Sequence, residues 1–113
     1  MASKRAIFAV RLAQARERLG WSQVELGRRA GFEPSVASPR INQYEKGVHV
    51  PHHTTAQRLA KILGVPTAFL FAEDEHLARL LLAWAEASPD QRKKLLQQAE
   101  ALAKPAAKKK PRA

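Results

Sequence analysis

At 113 residues with 45% apolar side chains, the chain has room for one small core and an appendage, not for two full-sized domains. The absence of cysteine excludes disulfides, thiolate metal sites and thiol nucleophiles and suits a reducing cytoplasm, and no long apolar run or signal-like N-terminus points to a membrane or to secretion. Twenty Lys and Arg against ten Asp and Glu leave a net charge of +10, which points to a polyanionic partner unless the excess merely solvates the surface.

Short helices account for most of the pattern. Phe8, Leu12, Ala15 and Leu19 recur at steps of four, three and four, one face of a helix that ends at Gly20. Ser22 with Glu25 three residues later reads as a capping box, opening a second helix that runs to about Ala30 and stops at Gly31. The stretch from Phe32 to Ser38 contains Pro34 and reads as a turn or irregular segment. Ser38 before Pro39 reads as the start of a third helix, with the proline at the first helical position, continuing through Ile41 and Tyr44 to Gly47. Residues 48–53 form a loop with Pro51. Leu59, Ile62 and Leu63 mark a fourth helix closed by Gly64, and a short helical turn over Thr67–Phe71 completes a unit spanning residues 1–72.

Beyond it, Asp74 caps a predicted helix carrying Leu77, Leu80, Leu81 and Trp84. Ser88 to Gln91 is a second capping box, opening a helix with Leu95, Ala99 and Leu102 on one face. This apolar surface is wider than one small domain needs. It predicts a helical hairpin over residues 73–103 that buries one face on the domain and offers another to a second copy, a homodimer through residues 75–103.

From Lys104 the chain holds only Pro, Ala, Lys and Arg, so residues 104–113 read as a disordered basic tail. Its five cations can follow phosphates without fixed geometry. Deleting residues 104–113 is expected to flatten the plot of log affinity against log salt by about two to three units while leaving sequence preference intact. An unchanged slope would reduce the tail to a solubility aid.

The second and third helices carry the most informative pattern. Helices joined by a tight turn and crossing steeply need a small side chain where their backbones meet, and Gly27 supplies it; Gly31 suits the turn. With Leu26, Ala30 and Ile41 facing the core, the third helix exposes Arg40, Asn42, Gln43 and Lys46, groups suited to bases and phosphates.

At this point the chain resembles the Cro/repressor-type (XRE) helix-turn-helix family. The matching text is Arg16-Glu17-Arg18-Leu19-Gly20-Trp21-Ser22-Gln23, then Leu26, Ala30-Gly31, Ile41, Tyr44-Glu45-Lys46-Gly47, Pro51 and Leu59 to Val65. The resemblance implies an all-α fold with a five-helix repressor-like domain and double-stranded DNA as partner. It implies that Gln23 holds a phosphate, that Gln43 reads a base, and that Arg16 and Glu45 form a structural ion pair. It also brings the loop of His49, His52 and His53 near the sugar-phosphate backbone, where His52 can donate to phosphate. Together these readings put Ser38, Arg40 and Gln43 on bases and Gln23, Asn42, Lys46 and His52 on phosphates. The spacing from Gly31 to Glu45 exceeds the family's usual spacing by about four residues. The extra residues, in Phe32–Ser38, either lengthen the turn or add a helical turn to the recognition helix.

The histidine cluster also admits weak metal binding or a plain loop, but no carboxylate or thiolate joins it at ligand spacing, so no metal or other cofactor is expected. Gly-rich phosphate loops and nucleophilic triads are missing from the sequence, which argues against an enzyme. The reading is a sequence-specific transcriptional regulator, with an antitoxin or phage-repressor role open to the same domain. Its alternatives are a protein–protein adaptor and a low-specificity architectural DNA-binding protein.

Overall fold

A computed structural model describes residues 3–103, all of whose regular structure is helical. The basic tail and the first two residues lie outside the described residues. The helices are α1 (Lys4–Arg18), α2 (Gln23–Arg29), α3 (Pro34–Glu45), α4 (His53–Leu63), α5 (Glu75–Glu86) and α6 (Pro89–Leu102), with a 3-10 turn at Thr67–Phe71 between α4 and α5. None of them is long and apolar enough to cross a membrane.

One core unites α1 to α4 and the 3-10 turn. Phe8, Leu12, Leu26, Ile41, Leu59, Leu63, Phe69 and Leu70 are fully buried in it. Phe8 sits at the centre, edge-on to Tyr44 at 6.2 Å between ring centres and tilted against Phe71 at 5.4 Å. These rings join α1, α3 and the 3-10 turn, segments too short to be stable alone in water.

Helix ends follow local chemistry. After α2, Gly31 takes φ +83°, and its N–H donates to the Arg28 carbonyl while that of Phe32 donates to Gly27. That is the paired hydrogen bonding of a left-handed helix stop. α1, α3 and α4 end the same way at Gly20, Gly47 and Gly64. Ser3, Ser22, Asp74 and Ser88 cap the helices that follow them. The amide of Leu77 donates to Asp74 and holds its carboxyl below the usual carboxylate range.

Only one of the two expected capping boxes closes. Gln91 reaches back to the Ser88 amide and completes it. Glu25 instead accepts from Arg28 and Arg29, because opposite charges three and four residues ahead on the helix compete for its carboxylate.

The start of the third helix needs correction. It begins at Pro34, not at Ser38, so the extra residues of Phe32–Ser38 mostly add a helical turn instead of lengthening the loop. Pro34 takes the first helical position, and Pro39 lies inside the helix. Lacking an N–H, Pro39 leaves the carbonyl of Ser35, an exposed residue, without its helical partner. What decides the matter is Ala37: it is 1% exposed and packs against Gly27, which requires that turn to be helical already.

α5 buries Ala78 and rests Leu81 and Leu82 on the core, chiefly against the 3-10 turn. α6 buries nothing. The two meet at their corner, where Arg92 donates to the Trp84 and Ala85 carbonyls and lies over the Trp84 ring.

Candidate nucleic-acid interface

The geometry of the site starts at the crossing of α2 and α3. A Cβ built on Gly27 would stand 2.6 Å from the Ala37 Cβ and 2.8 Å from its carbonyl oxygen. No side chain larger than hydrogen fits without moving a helix, so the backbones touch here and fix the angle of α3.

A half-buried polar network then locks α3 to α1 and α2. Arg16 grips Glu45 with both arms of its fork, Nε to Oε2 at 2.7 Å and Nη2 to Oε1 at 3.0 Å, and its third nitrogen donates to the Trp21 carbonyl at 2.7 Å. The Arg16 and Glu45 side chains are 14% and 8% exposed. The hydrogen bond to Glu45 raises the Arg16 pKa further above its usual range. Gln23, at the first position of α2, donates to the same carboxylate at 3.2 Å and to Asn42 Oδ1 at 3.3 Å. Four residues singled out in the sequence therefore meet in one network.

The remaining candidates are distributed around α3. Ala37, Ile41 and Tyr44 are its buried face. Opposite them the helical repeat sets Ser35, Pro39, Gln43 and Lys46, all exposed, with Asn42 at the edge beside Gln23. Ser38 and Arg40 are two residues apart and so point about 200° apart around the axis, onto opposite flanks. Ser38 is half-buried, and Arg40 lies over the Phe32 ring at 5.4 Å from its centre. The structure does not bring Ser38, Arg40 and Gln43 onto a single face. Ser35 and Pro39 take that place, and the spacing of Ala37, Ile41 and Tyr44 by four and three was the signal for it.

The histidines do not converge either. His49 sits edge-on to Tyr44 at 5.3 Å, while His52 and His53 are exposed at the start of α4. Among the described residues no three His, Cys, Asp or Glu side chains gather as a metal site. Tyr44 itself, walled in by the core, has its pKa raised by burial.

Arg11 was missed by sequence reasoning, since a charged residue within an amphipathic helix reads as surface. It is 5% exposed, donating to Gln14 on its own helix and to Ala72, Glu73 and Glu75 more than 60 residues away.

The helix-turn-helix family matches residues 12–70. Among solved structures, the chain is similar to one described as transcriptional regulator BswR, with 39% identity and a TM-score of 0.77 over 82% of this chain and 92% of that one. It shares its fold with a hypothetical transcription factor NHTF from Neisseria, at 24% identity and a TM-score of 0.59 over 69% of this chain and 85% of that one. No curated protein sequence matches it. With the family's pattern spanning the crossed helices and their polar network, the chain belongs to the XRE-type helix-turn-helix family of DNA-binding transcription regulators.

Proposed function

We propose that the protein is a sequence-specific transcriptional regulator that lays α3 in the major groove and acts as a two-fold dimer paired through residues 75–103. The observation that carries the groove assignment is the outward face of α3. Gln43 and Lys46 project from a helix whose angle is fixed by the contact at Gly27 and by the Arg16–Glu45 pair. Gln43 offers an amide suited to bidentate contact with adenine, and Lys46 suits a phosphate. Gln23 and Asn42 hold phosphates at the edge of the groove. Arg40 and Ser38, on opposite flanks, reach bases or backbone on either side of Gln43. α4 begins with neither a side-chain cap nor an acidic residue in its first turn, which favours a phosphate beside His52.

Pairing is supported by exposed apolar side chains on both C-terminal helices: Leu77 and Leu80 on α5, Leu96 and Leu102 on α6. Similarity to transcriptional regulator BswR supports the regulatory role.

Gln43→Ala is expected to weaken the selected site by about 1–3 kcal/mol and to relax preference at one base position. Gln23→Ala should weaken all duplexes alike. Binding of selected and scrambled duplexes at one salt concentration separates the two patterns. Equal scaling of every duplex by Gln43→Ala would overturn the groove assignment and favour an architectural role.

A further inference from the structure

Two arginines on one face of α1 reach across to α5. Arg11 Nη1 lies 2.9 Å from Glu75 Oε1, and Arg18 Nη1 lies 2.9 Å from Glu86 Oε2. Positions 11 and 18 are two turns apart on α1, and 75 and 86 are three turns apart on α5, so the contacts grip α5 near both ends. Between the two helices there is little direct backbone packing; α5 rests on the 3-10 turn and meets α1 through these long side chains.

The arginines are anchored and the glutamates are not. The Arg11 side chain is 6% exposed, and its fork also donates to the Ala72 carbonyl at 2.8 Å and the Glu73 carbonyl at 3.3 Å, in the linker that leads into α5. Arg18 donates to the Leu63 carbonyl at 3.0 Å, at the end of α4. Glu75 and Glu86 are 63% and 68% exposed. A planar fork held by backbone acceptors is a stiff fitting, since the guanidinium directs its donors along fixed lines. Such exposed carboxylates add little to stability. Their geometry, meeting preset donors at both ends of α5, suits orientation.

We propose that Arg11 and Arg18 are positioning residues that set the angle of α5 on the DNA-binding unit through Glu75 and Glu86, and thereby the spacing of the two half-sites that a dimer reads. The inference rests on the pairing through residues 75–103 proposed above. No residue of α6 is buried on its own chain, so the paired surface of both helices is joined to the DNA-binding unit chiefly through α5, and any change in the angle of α5 moves one recognition helix relative to the other.

The test uses the full chain and duplexes that it selects from a random library. Two half-sites at the recovered spacing are compared with the same half-sites moved one base pair closer or farther. The unaltered protein is expected to lose about tenfold in affinity on each shift, and Glu75→Lys/Glu86→Lys less than about threefold, because a loosened α5 accepts neighbouring spacings. The four added positive charges are expected to raise affinity for a single half-site by the same factor as for every duplex, without changing the ratio between spacings, and the sedimenting mass should be the same in both. The milder variant Glu75→Gln/Glu86→Gln, whose amide oxygens still accept from both guanidinium forks, should keep part of the spacing preference that the lysines abolish. An unchanged spacing profile in the lysine variant overturns the positioning role and leaves the pairing standing, as does an equal loss on single half-sites. A monomer mass for the unaltered protein at micromolar concentration, or selected sites without a two-fold repeat, overturns the pairing and the positioning role together.

Discussion

Glu45→Ala is expected to destabilise the fold by about 3–5 kcal/mol, because it leaves the Arg16 guanidinium largely buried without its counter-charge. For a domain of this size such a loss lowers Tm by well over about 10 °C. The effect should exceed that of an exposed pair such as Arg28–Glu25, which solvent screens and whose loss costs little. Gln23 would also lose an acceptor, so DNA binding should fall even where the fold survives. Replacing both partners by Met tests the cause: with no charge left unpaired, the double variant should be more stable than Glu45→Ala alone. A Tm within a few degrees of the unaltered protein would show that the pair carries no weight.

Gly27→Ala sets two effects of opposite sign against each other. In a helix interior alanine is favoured over glycine by about 1 kcal/mol. Against that, the new methyl would stand 2.8 Å from a carbonyl oxygen and 2.9 Å from a carbonyl carbon of the α3 backbone, atoms that no rotamer change can move aside. Overpacking of this kind costs about 1–3 kcal/mol. We expect the clash to win, with a net loss of stability. DNA affinity should fall further than stability does, since α3 must shift or tilt on α2 to make room. Ala37→Gly in the same chain should restore only part of the loss, because it removes the 2.6 Å contact and leaves the backbone contacts in place. A higher Tm for Gly27→Ala in thermal unfolding, with unchanged DNA affinity, would mean that the helices do not meet this closely.

The relation between sequence and structure differs from one feature to the next. Helix ends were legible because their causes lie within a few residues: a glycine that tolerates positive φ after α1 to α4, and a serine or aspartate whose side chain bonds an amide three residues on. The requirement for a small residue at Gly27 was legible too, since steep crossing is common to helix-turn-helix units.

The start of α3 was not legible, because Pro34 and Pro39 are equally good first residues of a helix by local rules. Contact of Ala37 with Gly27, ten residues away in sequence, decides for Pro34, and with it which residues face outward beside Gln43. Glu25 could have closed a capping box or paired with its arginines, and the choice fell to competing charges along α2. Arg11 lay furthest beyond reach. Its burial depends on carbonyls of Ala72 and Glu73 that only the folded chain brings beside α1, and no periodicity within α1 announces partners that distant. By itself, then, the sequence determined the helical class, the ends of most helices and the helix-turn-helix pattern, whose physics acts over a single helical turn. Tertiary structure alone decided the length and outward face of α3 and the way α5 is held, because those depend on desolvated contacts between segments distant in the chain.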